Sequence, residues 1–210
     1  MKKGRVLNLK NFDRLFSFFA ENNFLIIFSL LFIFGLLSGI LFYGKNEFLN
    51  KLTQNVFSLF LESRSDMVFL SVFLDSFFSS LLLLLVVFGF GTSLIGVITI
   101  PLSLFGFAFI YGSIISFLYS EYGLKGVAFH TVIILPSFII LIITLIISSI
   151  HSTRFSILLA KQTLPTAIPI DISFNFKKYL SRFVLYIFII LFSAIADALI
   201  SSNFLNEFSL

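Results

Sequence analysis

Residues 81–120 read LLLLLVVFGFGTSLIGVITIPLSLFGFAFIYGSIISFLYS and contain no charged side chain. The longer stretch from Met67 to Ser120 holds one charge, Asp75. A membrane-crossing helix needs about 20 apolar residues, so this stretch has room for two crossings but not three. The segment VITIPLS must then hold a tight turn, and Pro101 suits the first turn of the next helix. The pattern predicts helices that cross a membrane.

The composition of the whole chain supports this interpretation. The chain is 59% hydrophobic and 11% charged, and its mean hydropathy is +1.10, far from the balance of a soluble domain. It contains no cysteine, which excludes disulfides and cysteine metal sites. Its basic residues cluster beside apolar runs, which is typical of orientation in a bilayer and gives no indication of nucleic-acid binding. We expect an all-α, polytopic membrane protein in contact with the lipid bilayer, with no cofactor.

The apolar runs predict about five transmembrane helices within one helical membrane domain, residues 24–202. The predicted spans lie near residues 24–43, 76–98, 102–119, 127–150 and 183–202. Residues 1–23 precede the domain, and a short tail, residues 203–210, follows it. The first apolar run lacks a small-residue cleavage site, so we expect it to remain as a membrane anchor.

The distribution of lysine and arginine predicts the orientation in the cell membrane. These residues are frequent in the N-terminal segment and in residues 151–182, and sparse in residues 44–75. Cytoplasmic loops carry the excess of basic residues, so we expect a cytoplasmic N-terminus and an extracytoplasmic C-terminus. Residues 151–182 would then form a cytoplasmic loop, and residues 44–75 an outer loop.

Two segments outside the spans have the periodicity of amphipathic helices. Residues 5–21 carry apolar side chains at spacings of three and four. Residues 46–61 repeat the pattern with Phe48, Leu52, Val56 and Leu59. We expect both helices to lie at the membrane interface, one on each side.

Small residues recur four positions apart in three of the predicted spans. The pairs are Gly35 and Gly39, Gly89 and Ser93, and Ala108 and Gly112. Small side chains at this spacing clear one face of a helix and let a neighbouring backbone come close. Packing within one bundle is the favoured interpretation because the pairs are spread over three spans, and oligomerisation is the alternative.

The segment YGLKGVAFHTVIILPSF, residues 122–138, places a histidine and a proline in an apolar run. Pro136 removes a backbone donor and should bend the predicted fourth span, while Gly123 and Gly126 should shape the tight turn before it. His130 would lie near the outer end of that span, where water and a carbonyl can satisfy its imidazole. His151, at the other end, looks like a solvated flank. About 30 Å would separate these histidines, so they cannot share a metal.

Asp197 is the one acidic residue well inside a predicted span. A central aspartate costs about 2.5–3.5 kcal/mol on insertion scales, which normally demands a reason. Two explanations stay open: it anchors a partner helix, or it is an acid tolerated near the end of the span. Asp75, at the mouth of the second span, is expected to be a solvated end residue.

The sequence offers no catalytic set. Ser93 and His130 superficially resemble an intramembrane serine protease dyad, but the expected topology places them near opposite faces of the bilayer. A nucleophile and its base must approach within about 3 Å. Metalloprotease and phosphate-loop motifs are absent from the sequence. We therefore expect a protein that is not an enzyme and has no catalytic, cofactor-binding or metal-binding residues.

Residues 20–40, AENNFLIIFSLLFIFGLLSGI, and residues 85–138 together resemble the stage II sporulation protein M family. The resemblance covers about residues 24–150. The matching positions are Gly35, Gly39, Gly91, Gly96, Pro101, Gly106, Gly112, Gly123, Gly126, Leu135 and Pro136.

The resemblance implies a non-enzymatic membrane scaffold that holds the peptidoglycan-degrading stage II sporulation proteins D and P during engulfment of the forespore. The outer loop would then be the docking surface, with Glu62, Arg64 and Asp66 available to a partner and Asp197 as a further candidate. A merely solvated loop is the alternative for that charged segment. The alternative function is a transporter or permease subunit that uses a cavity near Pro136.

Overall fold

The protein, represented by a computed structural model, is described over residues 23–62, 64, 68–162 and 172–204. Every regular element within these residues is helical, which confirms the predicted all-α class. The elements are α1 (Asn23–Phe42), α2 (Glu47–Glu62), α3 (Phe69–Gly91), α4 (Gly96–Phe129), a π-helical segment (His130–Ile134), α5 (Leu135–Gln162) and α6 (Ile172–Phe204). The predicted helix over residues 5–21 and the proposed docking residue Asp66 lie outside the described residues.

Four helical stretches in the described part of the chain are long and apolar enough to cross a membrane. Three of them correspond to α1, α3 and α6. The fourth runs from Gly96 to Gln162, and its 67 residues would extend about 100 Å as one straight helix. That length is about three times the thickness of the hydrocarbon core. The chain is a helical membrane protein, and this long stretch must be folded.

The long stretch reverses direction at Gly123, which has φ 55° and ψ −130°. The Tyr111 hydroxyl lies 2.7 Å from Nε2 of His130, although a straight helix would separate these residues by about 28 Å. Gly126 lies against the carbonyl oxygen of Leu118 across the turn. The reversal therefore falls where the sequence suggested a tight turn, and it gives the stretch two apolar arms. The count of five crossings stays a prediction.

Replacing Gly123 by alanine should lower the free energy of unfolding by about 1–3 kcal/mol, because its backbone conformation is one that L-residues rarely adopt. Nothing lies within 4 Å of a Cβ added there, so crowding does not contribute. Alanine at Gly106, in an ordinary helical conformation with equally open space, is the matched control. Unfolding in mixed micelles, followed by circular dichroism, measures both. Equal stability of the two variants would contradict the prediction.

The turn between α3 and α4 differs from the predicted one. It occupies residues 92–95, so Pro101 is the sixth residue of α4 and does not lie in its first turn. Side-chain hydroxyls explain the position: the Thr92 hydroxyl donates to the Gly89 carbonyl at 2.8 Å, and the Ser93 oxygen accepts the Ile95 amide at 3.3 Å. These bonds satisfy backbone groups at the helix ends, so the chain turns before the proline.

Helices α1 and α4 pack closely through small residues. A Cβ on Gly35 would lie 2.7 Å from the Phe105 carbonyl oxygen and 2.9 Å from Cβ of Ala108. One turn further along both helices, Gly39 lies against the carbonyl of Phe109. The contacts advance in the same direction along the two helices, so α1 and α4 run parallel. The two crossings have the same sense, as the predicted topology requires of the first and third spans.

The remaining small residues differ in whether they make close contacts with a neighbouring helix. Gly112 lies against the backbone of Leu36 and belongs to the same α1–α4 contact. Ser93 receives a hydrogen bond on its carbonyl from the Ser156 hydroxyl at 2.6 Å. Close packing at Gly89 was wrongly predicted, because a Cβ there would meet nothing within 4 Å. Gly91, two residues on, makes the close contact instead, against Tyr179 and Ser152 of α6 and α5.

The π-helical segment ends two residues before Pro136. The amide of Leu135 donates to the His130 carbonyl, five residues back, as in a π turn. Proline has no amide to continue the α-helical pattern, and widening one turn accommodates its ring. Such segments are frequent at functional sites, and Ile134 of this one lines a cavity in the bundle.

Both histidines have tyrosine partners, whereas the sequence predicted water and a carbonyl for His130 and a solvated position for His151. His130 is buried, 6% exposed, and lies between the Tyr111 hydroxyl at 2.7 Å and the Tyr119 hydroxyl at 3.3 Å. Nδ1 of His151 lies 2.7 Å from the Tyr186 hydroxyl. The hairpin folds back and brings Tyr111 and Tyr119 of α4 to His130. The sequence of the span that contains His130 does not predict these contacts, because they depend on how the hairpin packs.

Candidate functional site

Arg64 follows α2 directly and is buried, 2% exposed. One of its terminal nitrogens, Nη2, pairs with the carboxylate of Asp197 on α6. The other, Nη1, lies 3.4 Å from the carboxylate of Asp75 on α3 and 3.1 Å from the Phe60 carbonyl. The guanidinium carbon also lies 3.6 Å from the centroid of the Phe60 ring. One side chain thus ties α2 to two membrane helices.

The end of α2 accounts for the placement of this side chain. The Arg64 amide donates to the Leu61 carbonyl at 3.0 Å, which closes a turn beyond the last helical residue. The side chain folds back over this end and donates to the Phe60 carbonyl, one of the last four carbonyls of the helix, which lie beyond the regular pattern of helical hydrogen bonds. A cation there also interacts favourably with the helix dipole.

Asp197 is 3% exposed and belongs to a polar contact between α5 and α6. The Ser137 hydroxyl lies 3.4 Å from its second carboxylate oxygen, and the Ser193 hydroxyl donates to the Ser137 carbonyl at 2.8 Å. A buried carboxylate is tolerated when a cation and hydroxyls surround it. Of the two explanations from the sequence, the anchor is the one that fits: Asp197 holds α2 through Arg64 of the same chain, and it is not an acid exposed near the end of its span.

The predicted docking residues do not form one exposed surface. Arg64 and Asp197 are buried against each other, so docking through either one was wrongly predicted. Glu62 is exposed, and Asp66 lies outside the described residues. Asp75, expected to be a solvated end residue, instead contacts Arg64, and 41% of its side chain is exposed.

Aromatic side chains hold the middle of α2 against the hairpin. The Phe57 ring lies 5.3 Å from that of Phe117, 6.1 Å from that of Phe129 and 6.4 Å from that of Tyr122. Phe57 is 3% exposed. Burial of a phenylalanine is worth about 1.5–3 kcal/mol, so this aromatic cluster and the Arg64 contacts anchor α2 at two separate places.

The apolar stripe predicted for α2 and the face of α2 that packs against the other helices overlap only in part. The buried residues of α2 are Thr53 and Phe57. Phe48 and Leu59 of the predicted stripe are 73% and 64% exposed. The apolar arc of this helix is wide enough that one part contacts the bundle while the adjoining part stays open.

A cavity of about 710 Å³ lies between α2, α3, α5 and α6 and contains the charged residues described above. Five serines give it a hydroxyl-rich wall: Ser76, Ser79, Ser80, Ser137 and Ser193. The rest of the lining is apolar and includes Leu59, Ile134 and Leu141. The cavity is therefore amphiphilic, and it adjoins the π-helical segment.

The cavity combines charged, hydroxyl and apolar side chains, which is typical of a ligand-binding site. Across the described part of the chain, no group of three or more histidine, cysteine, aspartate or glutamate side chains comes together as a metal site requires. The sequence contained two signals for the cluster: an arginine in a loop with few basic residues, and an unexplained aspartate in a span. Pairing them across 133 positions needed the fold.

Comparison with known proteins gives one match. A family model described as Stage II sporulation protein M matches residues 16–202. This range includes every element from α1 to Ser202 near the end of α6, and therefore the whole cluster around Arg64. Neither the curated proteins nor the solved structures include a match to the chain.

Proposed function

This chain belongs to the Stage II sporulation protein M family, and from that premise we propose that it is a non-enzymatic membrane scaffold that positions peptidoglycan-degrading proteins. Membership of the family indicates a sporulation-related membrane protein. The proposed partners are extracytoplasmic hydrolases of the stage II sporulation protein D and P type, recruited during engulfment. The face that recruits them would be the predicted outer face, which carries α2.

The observation that supports this proposal is the double anchoring of α2. The Phe57 contacts hold the helix against the hairpin, and Arg64 ties its end to α3 and α6. A helix fixed in this way presents a rigid surface, which lowers the entropy lost when a partner binds. Its open side combines exposed apolar residues such as Phe48 and Leu59 with an exposed pair, Lys51 and Glu47, at 3.2 Å.

Replacing Phe48 and Leu59 together by serine should reduce recovery of hydrolases at least tenfold, because exposed apolar anchors commonly dominate binding at an interface. The measurement is mild crosslinking in native membranes, followed by purification of the tagged chain and quantification of the recovered proteins. Leu124→Ser is the matched control, since Leu124 is 89% exposed in the turn of the hairpin beside the aromatic cluster. Equal recovery from the double variant and the wild type would contradict the proposed surface.

A transporter or permease subunit is the second candidate, and the cavity beside the π-helical segment favours it. A transporter should be impaired when Pro136 or the cavity lining is changed, whereas a change at Phe48, which does not line the cavity, should have little effect. Recovery of a cytoplasmic ATPase through residues 151–182, without hydrolases, would support this alternative over the scaffold.

A further inference from the structure

Acidic residues outnumber basic residues in the described lining of the cavity. Among the described residues that line it, Glu62, Asp75 and Asp197 are acidic, and Arg64 is basic. The described part of the lining therefore carries an excess of two formal negative charges. A ligand group in this cavity would be favoured if it were positive and disfavoured if it were an anion.

The guanidinium of Arg64 is engaged in contacts with other residues of the protein. Nη2 of Arg64 pairs with Asp197, Nη1 contacts Asp75 and the Phe60 carbonyl, and the Phe60 ring covers the guanidinium. An anionic ligand would have to displace these contacts. The carboxylate of Asp75 differs, because 41% of its side chain is exposed and a carboxylate can accept several hydrogen bonds.

The lining also contains a large apolar part. A volume of about 710 Å³ falls within the range of small-molecule sites, about 300–1,000 Å³. Serine hydroxyls lie on the α3 side beside Asp75, whereas Leu59, Ile134 and Leu141 supply apolar lining from the other elements. A small inorganic cation would leave that apolar surface without a partner.

We propose that the cavity binds an amphiphile with an ammonium headgroup. The headgroup would lie at Asp75 and donate to its carboxylate and to the hydroxyls of Ser76 and Ser79. The hydrocarbon chain would lie along Ile134 and Leu141. This site goes beyond the scaffold function and does not rest on it: of Glu47, Phe48, Lys51 and Leu59 on the recruiting side of α2, Leu59 alone lines the cavity.

The test measures the thermal unfolding midpoint of the full chain in neutral micelles, with decylammonium or decyl sulfate added at equal mole fraction. Decylammonium should raise the midpoint in a saturable way, and decyl sulfate should not. In Asp75→Asn, half-saturation should need about tenfold more decylammonium, the effect expected from losing one hydrogen bond to a charged group. Glu121→Gln is the matched control, since Glu121 is exposed and does not line the cavity.

A second variant tests the cavity without changing any charge. Ser76→Phe fills the space beside Asp75 and should abolish the decylammonium effect, which also covers the case in which Asp75→Asn does not fold. A saturable effect that persists in Ser76→Phe, or an equal effect of decyl sulfate, would overturn the proposal. So would the absence of any decylammonium effect together with saturable binding of an apolar peptide that carries one lysine, which would identify a partner segment.

Discussion

Replacing Arg64 by methionine is expected to lower the free energy of unfolding by about 3–5 kcal/mol, the usual cost of removing one partner from a buried ion pair. Methionine fills a similar volume but leaves the carboxylate of Asp197, whose side chain is 5% exposed, without its cation. The variant also removes the contacts of Arg64 with Asp75 and the Phe60 carbonyl. We therefore expect α2 to separate from α6 before the remaining helices unfold.

The measurement is a titration of the purified protein with sodium dodecyl sulfate in mixed micelles, followed by circular dichroism, with hydrogen exchange to locate the first helix released. Lys51→Met is the matched control on the same helix. Its ion pair with Glu47 has side chains 71% and 85% exposed, so its loss should cost less than about 1 kcal/mol. If Arg64→Met costs no more than this control, the ion pair does not hold α2.

A double variant separates the value of the pair from the cost of an unpaired charge. Arg64→Met combined with Asp197→Leu should recover most of the lost stability, because apolar side chains of similar volume often replace buried ion pairs without loss. A double variant as unstable as Arg64→Met alone would show that the other contacts of Arg64, with Asp75 and Phe60, carry the effect.

The sequence was sufficient for the features that each segment determines by itself. The apolar runs predicted α1 and the helical membrane class, and periodicity predicted α2 within one residue of its bounds, Glu47–Glu62. The reversal at Gly123 could also be inferred locally, since glycine tolerates conformations that other residues avoid.

The sequence was insufficient wherever a neighbouring helix decides the outcome. Periodicity identifies an apolar face on α2 but cannot say that Phe57 packs while Phe48 stays exposed, because this depends on what lies beside the helix. Arg64 and Asp197 are 133 positions apart, and each looked like a separate exception. Each of these charged side chains would be unfavourable if it were buried alone, but together they form an ion pair. The fold is what brings the two residues together.

Replacing Gly39 by alanine is expected to force α1 away from α4 and to lower the free energy of unfolding by about 3 kcal/mol, at the upper end of the usual cost of overpacking. A Cβ at Gly39 would clash with the Phe109 carbonyl oxygen and lie 3.0 Å from the Ser113 amide nitrogen. These are backbone atoms of α4, which cannot turn aside as a flexible side chain does. Relief requires the two helices to move apart, and that loosens the contact at Gly35 as well.

Gly112→Ala tests the same interface from the other helix, since a Cβ there would clash with the Leu36 carbonyl. Gly106→Ala is the control on α4, because a Cβ there meets nothing within 4 Å and alanine favours the helix by roughly 0.5–1 kcal/mol. The same titration measures all three. The variants at Gly39 and Gly112 should lose stability while the control gains it, because the interface variants differ from the control only in what their methyl groups meet. If the variants at Gly39 and Gly112 gained stability together with the control, helix propensity alone would account for all three, and close packing of α1 on α4 would be the wrong explanation for these glycines.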